Sequence, residues 1–308
     1  MKIAVMGAGA LGCYFGGRIH QGGGDVTFIA RGPHLKALQT SGLKIESQLG
    51  DAHLTDLKAT DDPETVGPVD MVLFMVKLFD VEAAAKAMAP LIGPDTAVAC
   101  FQNGATTPRI LAEAIGEERV VPGSVHMPAE ITSPGVMKHT GAFSAIAFGE
   151  QNGAITDRCR ALEKALNAGG VTPTVATDMM TRIWEKFVLL SAFSAICGLT
   201  RLKLGPIMAD PRSRQLLQSA LNETLAVGRA VHPDLPADAA DRAFASFSDL
   251  PPFANASMLN DINAGRKIEL MHLSGEVSRL GKAHNIATPT HDVAVAALHP
   301  YINGSPTS

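Results

Sequence analysis

The chain has 308 residues, 46% of them hydrophobic and 18% charged, with a formal net charge of −4. That is a globular composition with length for two domains, and it excludes disordered and fibrous classes. The mildly acidic balance, with no basic run, argues against a nucleic-acid binder, which works by displacing counterions from phosphates. Cys13, Cys100, Cys159 and Cys197 are scattered and form no CxxC pair. They suit buried thiols of a reducing, cytoplasmic compartment better than a zinc site or a disulfide framework, so no metal is expected. No apolar run reaches the roughly 18 uninterrupted residues of a membrane helix.

Lys2–Met6 is a short β-prone run, Ala10–Gln21 carries Leu11, Phe15 and Ile19 at helical spacing, and residues 25–30 form a second strand; together they make a βαβ unit. The charged and greasy start imitates a signal peptide, but it contains a glycine-rich turn and runs directly into a strand, which a cleaved leader would not need. Helix signals at 34–40, a strand at 71–76, a helix at 81–91 and a strand at 96–100 continue the alternation and imply a parallel, doubly wound sheet. Residues 120–149, punctuated by Pro122, Pro128, Pro134 and Gly135, are expected to add antiparallel strands to one edge of that sheet.

After a last strand at 171–175 the pattern becomes helical, with segments at 179–197, 211–231, 237–247 and 268–284. The expected architecture is an N-terminal Rossmann-type α/β domain over residues 1–176 and an all-α C-terminal domain over 177–308. Leu216, Leu217, Leu221 and Leu225 could line a core or a homodimer face. Residues 303–308 have the composition of a frayed end.

Gly7-Ala8-Gly9-Ala10-Leu11-Gly12 is a GxGxxG sequence between a strand and a helix, the context in which it binds a dinucleotide. The first glycine permits the turn, the second lets a pyrophosphate approach, and the third lets helix and strand pack closely. Free amides of Ala10 and Leu11 at the helix start would face the phosphates. In place of the acidic residue that would bind a ribose 2′-hydroxyl stands Arg31, nineteen residues past Gly12. A guanidinium there suits a 2′-phosphate, so NADP(H) is expected over NAD(H), the alternative being a solvated surface arginine. Val76-Lys77 and Gln102-Asn103-Gly104 follow two further parallel strands, at the edge where such sheets bind ligands. Lys77 and Asn103 are therefore candidates for cofactor contact, against the readings of a solvated charge and a plain turn.

With these motifs the chain resembles the ketopantoate reductase (2-dehydropantoate 2-reductase) family: GAGALG at the start, ARG at 30–32, Val76-Lys77 and QNG at 102–104. The likeness continues through Trp184-Glu185-Lys186, similar to the family's W-x-K helix start, and through Ser257-Met258-Leu259-Asn260-Asp261-Ile262 with Glu269, similar to its SMLQD segment and following glutamate. The resemblance implies hydride transfer from NADPH to the C2 carbonyl of a 2-oxo acid, a step of pantothenate biosynthesis in that family. It implies Lys186 as general acid, its pKa lowered by burial between domains. It further implies Asn103 placing substrate and nicotinamide, Ser257 holding the substrate carboxylate, and Glu269 orienting the reacting hydroxyl.

The sequence departs from the family where it carries asparagines one and two helical turns after the lysine; here stand Leu190 and Ser194. Positions i, i+4 and i+8 share one helix face, so Lys186, Leu190 and Ser194 should line one strip, less polar than in the family. The asparagine before the serine is displaced as well, with Asn255 two residues and Ala254 three residues ahead of Ser257. These changes redirect the expected substrate from ketopantoate toward a 2-oxo acid with an apolar side chain. Two other functions stay open: a dehydrogenase of another hydroxy acid or a polyol phosphate on the same plan, and a catalytically silent NADPH sensor.

Overall fold

The computed structural model describes residues 1–306 except Ala142, and the chain folds as two compact units. Met1–Gln102 and Thr106–Met180 form the first; Asn103–Ala105 and Thr181–Ser308 form the second.

The first unit begins with β1 (Lys2–Met6), α1 (Ala10–Gln21), β2 (Asp25–Ile29) and α2 (Gly32–Thr40), followed by three short strands, β3 (Leu43–Ser47), β4 (Ala52–Leu54) and β5 (Lys58–Thr60). Then come β6 (Met71–Phe74), α3 (Val81–Ala87), β7 (Ala97–Cys100), α4 (Thr107–Ile115), β8 (Val120–His126), β9 (Ala129–Ser133), β10 (Val136–His139), β11 (Ala145–Phe148), α5 (Asp157–Ala168) and β12 (Thr174–Val175). The main sheet runs β12-β11-β8-β7-β6-β1-β2-β5, and all pairs from β8 to β5 are parallel. Its central strands are buried along their length, which explains why they read as continuous apolar runs such as Met71–Phe74 rather than as alternating ones.

The region at 120–149 departs from expectation. Only β11 is antiparallel in the main sheet, against β8, while β8 continues the parallel set beside β7. Strands β9 and β10 instead leave to form a second, four-stranded sheet, β4-β3-β10-β9. The reason is a partner the sequence did not reveal: β10 pairs in parallel with β3, Val136 opposite Lys44. Two apolar residues of β3, Leu43 and Ile45, are fully buried and lie over Gly17 of α1, as does Leu54 of β4. The second sheet thus covers the flank of α1 that carries Gly17, while Gly16 on the neighbouring flank meets Val5 and Phe28 of the main sheet.

Two expected helices are shorter. The segment at 81–91 stops at Ala87 and finishes as a 3-10 turn, Ala89–Leu91, because Pro90 supplies no amide for another α-helical bond. The segment at 268–284 breaks at Leu273, whose φ of −107° and ψ of −95° separate the 3-10 turn Leu270–His272 from the following helix.

The second unit is helical: α6 (Met179–Thr200), whose first two residues belong to the first unit, α7 (Leu204–Ala209), α8 (Pro211–Val231), α9 (Ala239–Ser246), α10 (Ser257–Asn263), α11 (Ser274–Ala283) and α12 (Pro289–Leu298). Helix α6 is long and apolar enough to cross a membrane, but 67% of that stretch is buried inside the protein, which is the pattern of a core helix. Of the four leucines on α8, Leu217 and Leu221 are core, Leu225 is half-buried and Leu216 is exposed. The C-terminal segment is less frayed than expected, since the Ile268 amide donates to Ile302 O at 3.2 Å and the Ser305 amide to Gly265 O at 3.4 Å. Thr307 and Ser308 lie outside the described residues.

Candidate active site

In the first unit the three glycines differ in what the protein itself requires of them. Gly7 has φ +98°, and a Cβ there would lie 2.8 Å from both the Val76 amide nitrogen and Val76 Cγ1, so conformation and packing each demand glycine. A Cβ on Gly12 would meet Gly7 O at 2.2 Å, which fixes how closely α1 lies on β1. Gly9 is different: it has an ordinary φ of −78°, and a Cβ there would meet nothing within 4 Å. Neither strain nor internal packing explains its glycine. The open space stands directly before α1, whose N-cap has no side-chain bond and whose first turn has no acidic residue, so the amides of Ala10 and Leu11 begin a positive helix end. That cradle fits a dinucleotide pyrophosphate.

Around it, Arg31 is exposed as the N-cap residue of α2, and Lys77 is exposed just beyond β6. Gln102, which stands in the quoted QNG motif but was given no role of its own, is buried one residue beyond Phe101, and its Nε2 donates to Phe74 O at 2.8 Å and to Val76 O at 3.3 Å. The available signal was an amide side chain two residues after an apolar strand, a place where the regular backbone ladder ends and carbonyls can take a side-chain donor. The four cysteines are free and buried, and burial pushes Cys13 and Cys100 up to about 12 and Cys197 to about 11, leaving them neutral and poor nucleophiles.

In the second unit Lys186 lies two residues past Trp184 on α6, half-buried, while Trp184 is packed edge-to-face on Phe187 at 5.6 Å. Burial pulls the Lys186 ammonium down from 10.5 to about 8, and the charge of Glu269 acts in the opposite direction. Glu269 is itself buried, 6% exposed, just ahead of the Leu270–His272 turn. Lys186 and Glu269, far apart in sequence, therefore share one electrostatic environment. Leu190 is half-buried on the next turn after Lys186. Ser194, one turn further, has no exposed surface, and its Oγ has no hydrogen-bond partner among the described residues. The strip is thus accessible at its lysine end and closed at its serine end. Ser257 is exposed as the first residue of α10; two residues earlier, Asn255 donates through Nδ2 to Asn260 Oδ1 at 2.6 Å, so that asparagine is tied to the helix that follows it. Asn103 is half-buried and belongs to the second unit.

The sequence matches the family Ketopantoate reductase PanE/ApbA over residues 3–153 and its C-terminal counterpart over residues 178–302. The chain belongs to the ketopantoate reductase family. A 2-dehydropantoate 2-reductase of Caulobacter vibrioides is 32% identical to it over 97% of this chain and 98% of that protein. The crystal structure of a PanE/ApbA family ketopantoate reductase from Ralstonia eutropha JMP134 superposes with a TM-score of 0.89 at 30% identity, over 98% of both chains. A D-mandelate dehydrogenase solved with NADH and anilino(oxo)acetate shares the fold of this ketopantoate reductase-family oxidoreductase, with a TM-score of 0.86 at 23% identity over 98% of each chain.

Proposed function

We propose that this protein uses NADPH to reduce the C2 carbonyl of a 2-oxo acid bearing an apolar substituent, giving the 2-hydroxy acid. The observation that carries the reading is Lys186, an amine that burial holds near a pKa of about 8 beside the charge of Glu269. Such a group is mostly protonated at neutral pH yet able to give up its proton, which is what a general acid for ketone reduction needs. When bound, NADPH supplies the hydride. As that pair of electrons reaches C2, negative charge develops on the carbonyl oxygen; the Lys186 ammonium stabilises it by a hydrogen bond and completes the hydroxyl by donating a proton. Glu269 keeps the ammonium charged and orients the nascent hydroxyl. Ser257 holds the substrate carboxylate, and Asn103 places the reacting groups.

Under this reading residues 1–176 are the NADP-binding domain, with Gly7, Gly9, Ala10, Leu11 and Gly12 around the pyrophosphate. Arg31 meets the 2′-phosphate, and Lys77 adds a cation to the cofactor site. Residues 177–308 serve the substrate and dimerisation. Leu190 offers the substrate an alkyl surface where an amide would offer hydrogen bonds, and Ser194, closed off behind it, sets the depth available. A substrate rich in hydroxyls gains nothing from that strip, which is why an apolar 2-oxo acid is favoured over ketopantoate.

The test is NADPH oxidation, followed by absorbance, across a panel of ketopantoate, 2-oxo-3-methylbutanoate, phenylglyoxylate and an unrelated aldehyde. Turnover of the apolar acids above ketopantoate supports the proposal. NADPH binding without oxidation by any panel member would overturn the proposal and leave the sensor and the dehydrogenase of another hydroxy compound.

A further inference from the structure

Three parallel strands end together beside the glycine cradle, and backbone pairing alone does not hold those ends. Phe74 and Cys100 are the last paired residues of β6 and β7. Beyond them the Phe101 amide donates to Phe74 O at 3.2 Å and the Met75 amide donates to Met6 O at 2.8 Å, after which the backbone ladder stops. Gln102 extends it with a side chain: both hydrogens of its Nε2 are used, one on Phe74 O and one on Val76 O. The orientation of the carboxamide is settled, because both neighbours are carbonyls and only the nitrogen end can donate to them. Its other end makes no bond: Oε1 is buried with no hydrogen-bond partner among the described residues. An unsatisfied buried acceptor is costly, and a methionine or leucine of the same size would avoid it.

What the amide secures is the position of Val76. Val76 stands against Gly7, with its amide nitrogen and Cγ1 each 2.8 Å from where a Gly7 Cβ would be, and the next residue is Lys77. A small displacement of Val76 therefore changes the floor of the glycine turn and the place of Lys77 together.

We propose that Gln102 is a positioning residue of the nucleotide site, its carboxamide locking Val76 against Gly7 so that the turn and Lys77 are preorganised before the cofactor arrives. The inference rests on the glycine cradle being the dinucleotide site. Gln102→Met keeps volume and apolar burial but removes both donors. Its Kd and KM for NADPH should rise about five- to tenfold, the loss expected for a hydrogen bond whose acceptor stays buried, with kcat nearly unchanged. Amide hydrogen exchange in a peptide covering residues 75–80 should quicken, while that of α8 stays at the parent's rate. If Gln102→Met does not fold, Gln102→Leu, which likewise carries no donor, is read in the same way. A folded variant with the parent's Kd, or with unchanged exchange at 75–80, overturns the assignment. A parent chain that binds neither NADPH nor NADH would instead overturn the cofactor reading on which it stands.

Discussion

The pH dependence of turnover tests Lys186 most directly. With its pKa near 8 instead of 10.5, about nine tenths of the side chain is charged at pH 7 and about one tenth at pH 9. Reduction needs the ammonium, so kcat/KM for the 2-oxo acid should be level below pH 7 and fall roughly tenfold between pH 7 and 9. An ordinary exposed lysine would give almost no change over that range. The reverse reaction needs the neutral amine as base, so its rate should rise through the same midpoint. Glu269 raises the lysine pKa, and Glu269→Gln should move both limbs to lower pH. Lys186→Ala should remove the limbs altogether and lower turnover by roughly two to four orders of magnitude. The assay is initial rates in mixed buffers of constant ionic strength, run in both directions. A forward rate that stays level to pH 9.5, or a Glu269→Gln midpoint above that of the parent, would refute the assignment of Lys186 as the acid.

The glycines separate fold from ligand: Gly9→Ala should leave Tm unchanged while weakening NADPH binding, because its methyl enters only the open cradle. Gly12→Ala, driven against Gly7 O, should lower stability by about 1–3 kcal/mol, seen as a fall in Tm without any ligand present. Arg31→Ala should weaken NADPH by about 1.5–3 kcal/mol, a lost charged hydrogen bond, and leave NADH nearly unaffected; titrations showing equal losses would reject the 2′-phosphate contact. Leu190→Asn should raise the ratio of kcat/KM for ketopantoate over an apolar 2-oxo acid by about tenfold, and a ratio that does not move would take Leu190 out of substrate selection.

Much of the fold was legible because parallel strands and the helices between them carry strong local signals. Met71–Phe74 and Ala97–Cys100 are uninterrupted apolar runs, and Gly7 to Gly12 is recognisable by its place between strand and helix. The second sheet was not legible for the opposite reason. Leu43 and Ile45 are only two apolar residues among lysine and glutamate, and what makes β3 a strand is β10, far along the chain. For the site, the identities of Lys186 and Glu269 came from the resemblance, but neither the burial of Glu269 nor their mutual electrostatics was legible, since both depend on how α6 and the turn after α10 come together. The same limit applies to Ser194: helical spacing places it on the lysine's face, while only packing reveals that its hydroxyl is shut in. Gln102 stood in a quoted motif without a role of its own, because its importance lies in reaching two carbonyls, of Phe74 and Val76, that come together only once the sheet has formed.

The parallel pairing of β3 with β10 also governs the order in which the chain can mature. A strand pair closed between Lys44 and Val136 needs everything in between to have emerged from the ribosome first. Until then, Leu43 and Ile45 have only the short β4 beside them, and the Gly17 flank of α1 lacks its full cover. The glycine-bearing helix therefore cannot reach its final rigidity by local folding, however early it forms. Nascent chains truncated before residue 136 should be open to proteases around residues 43–54, and completion of the second sheet should be a late, slow event of long sequence separation.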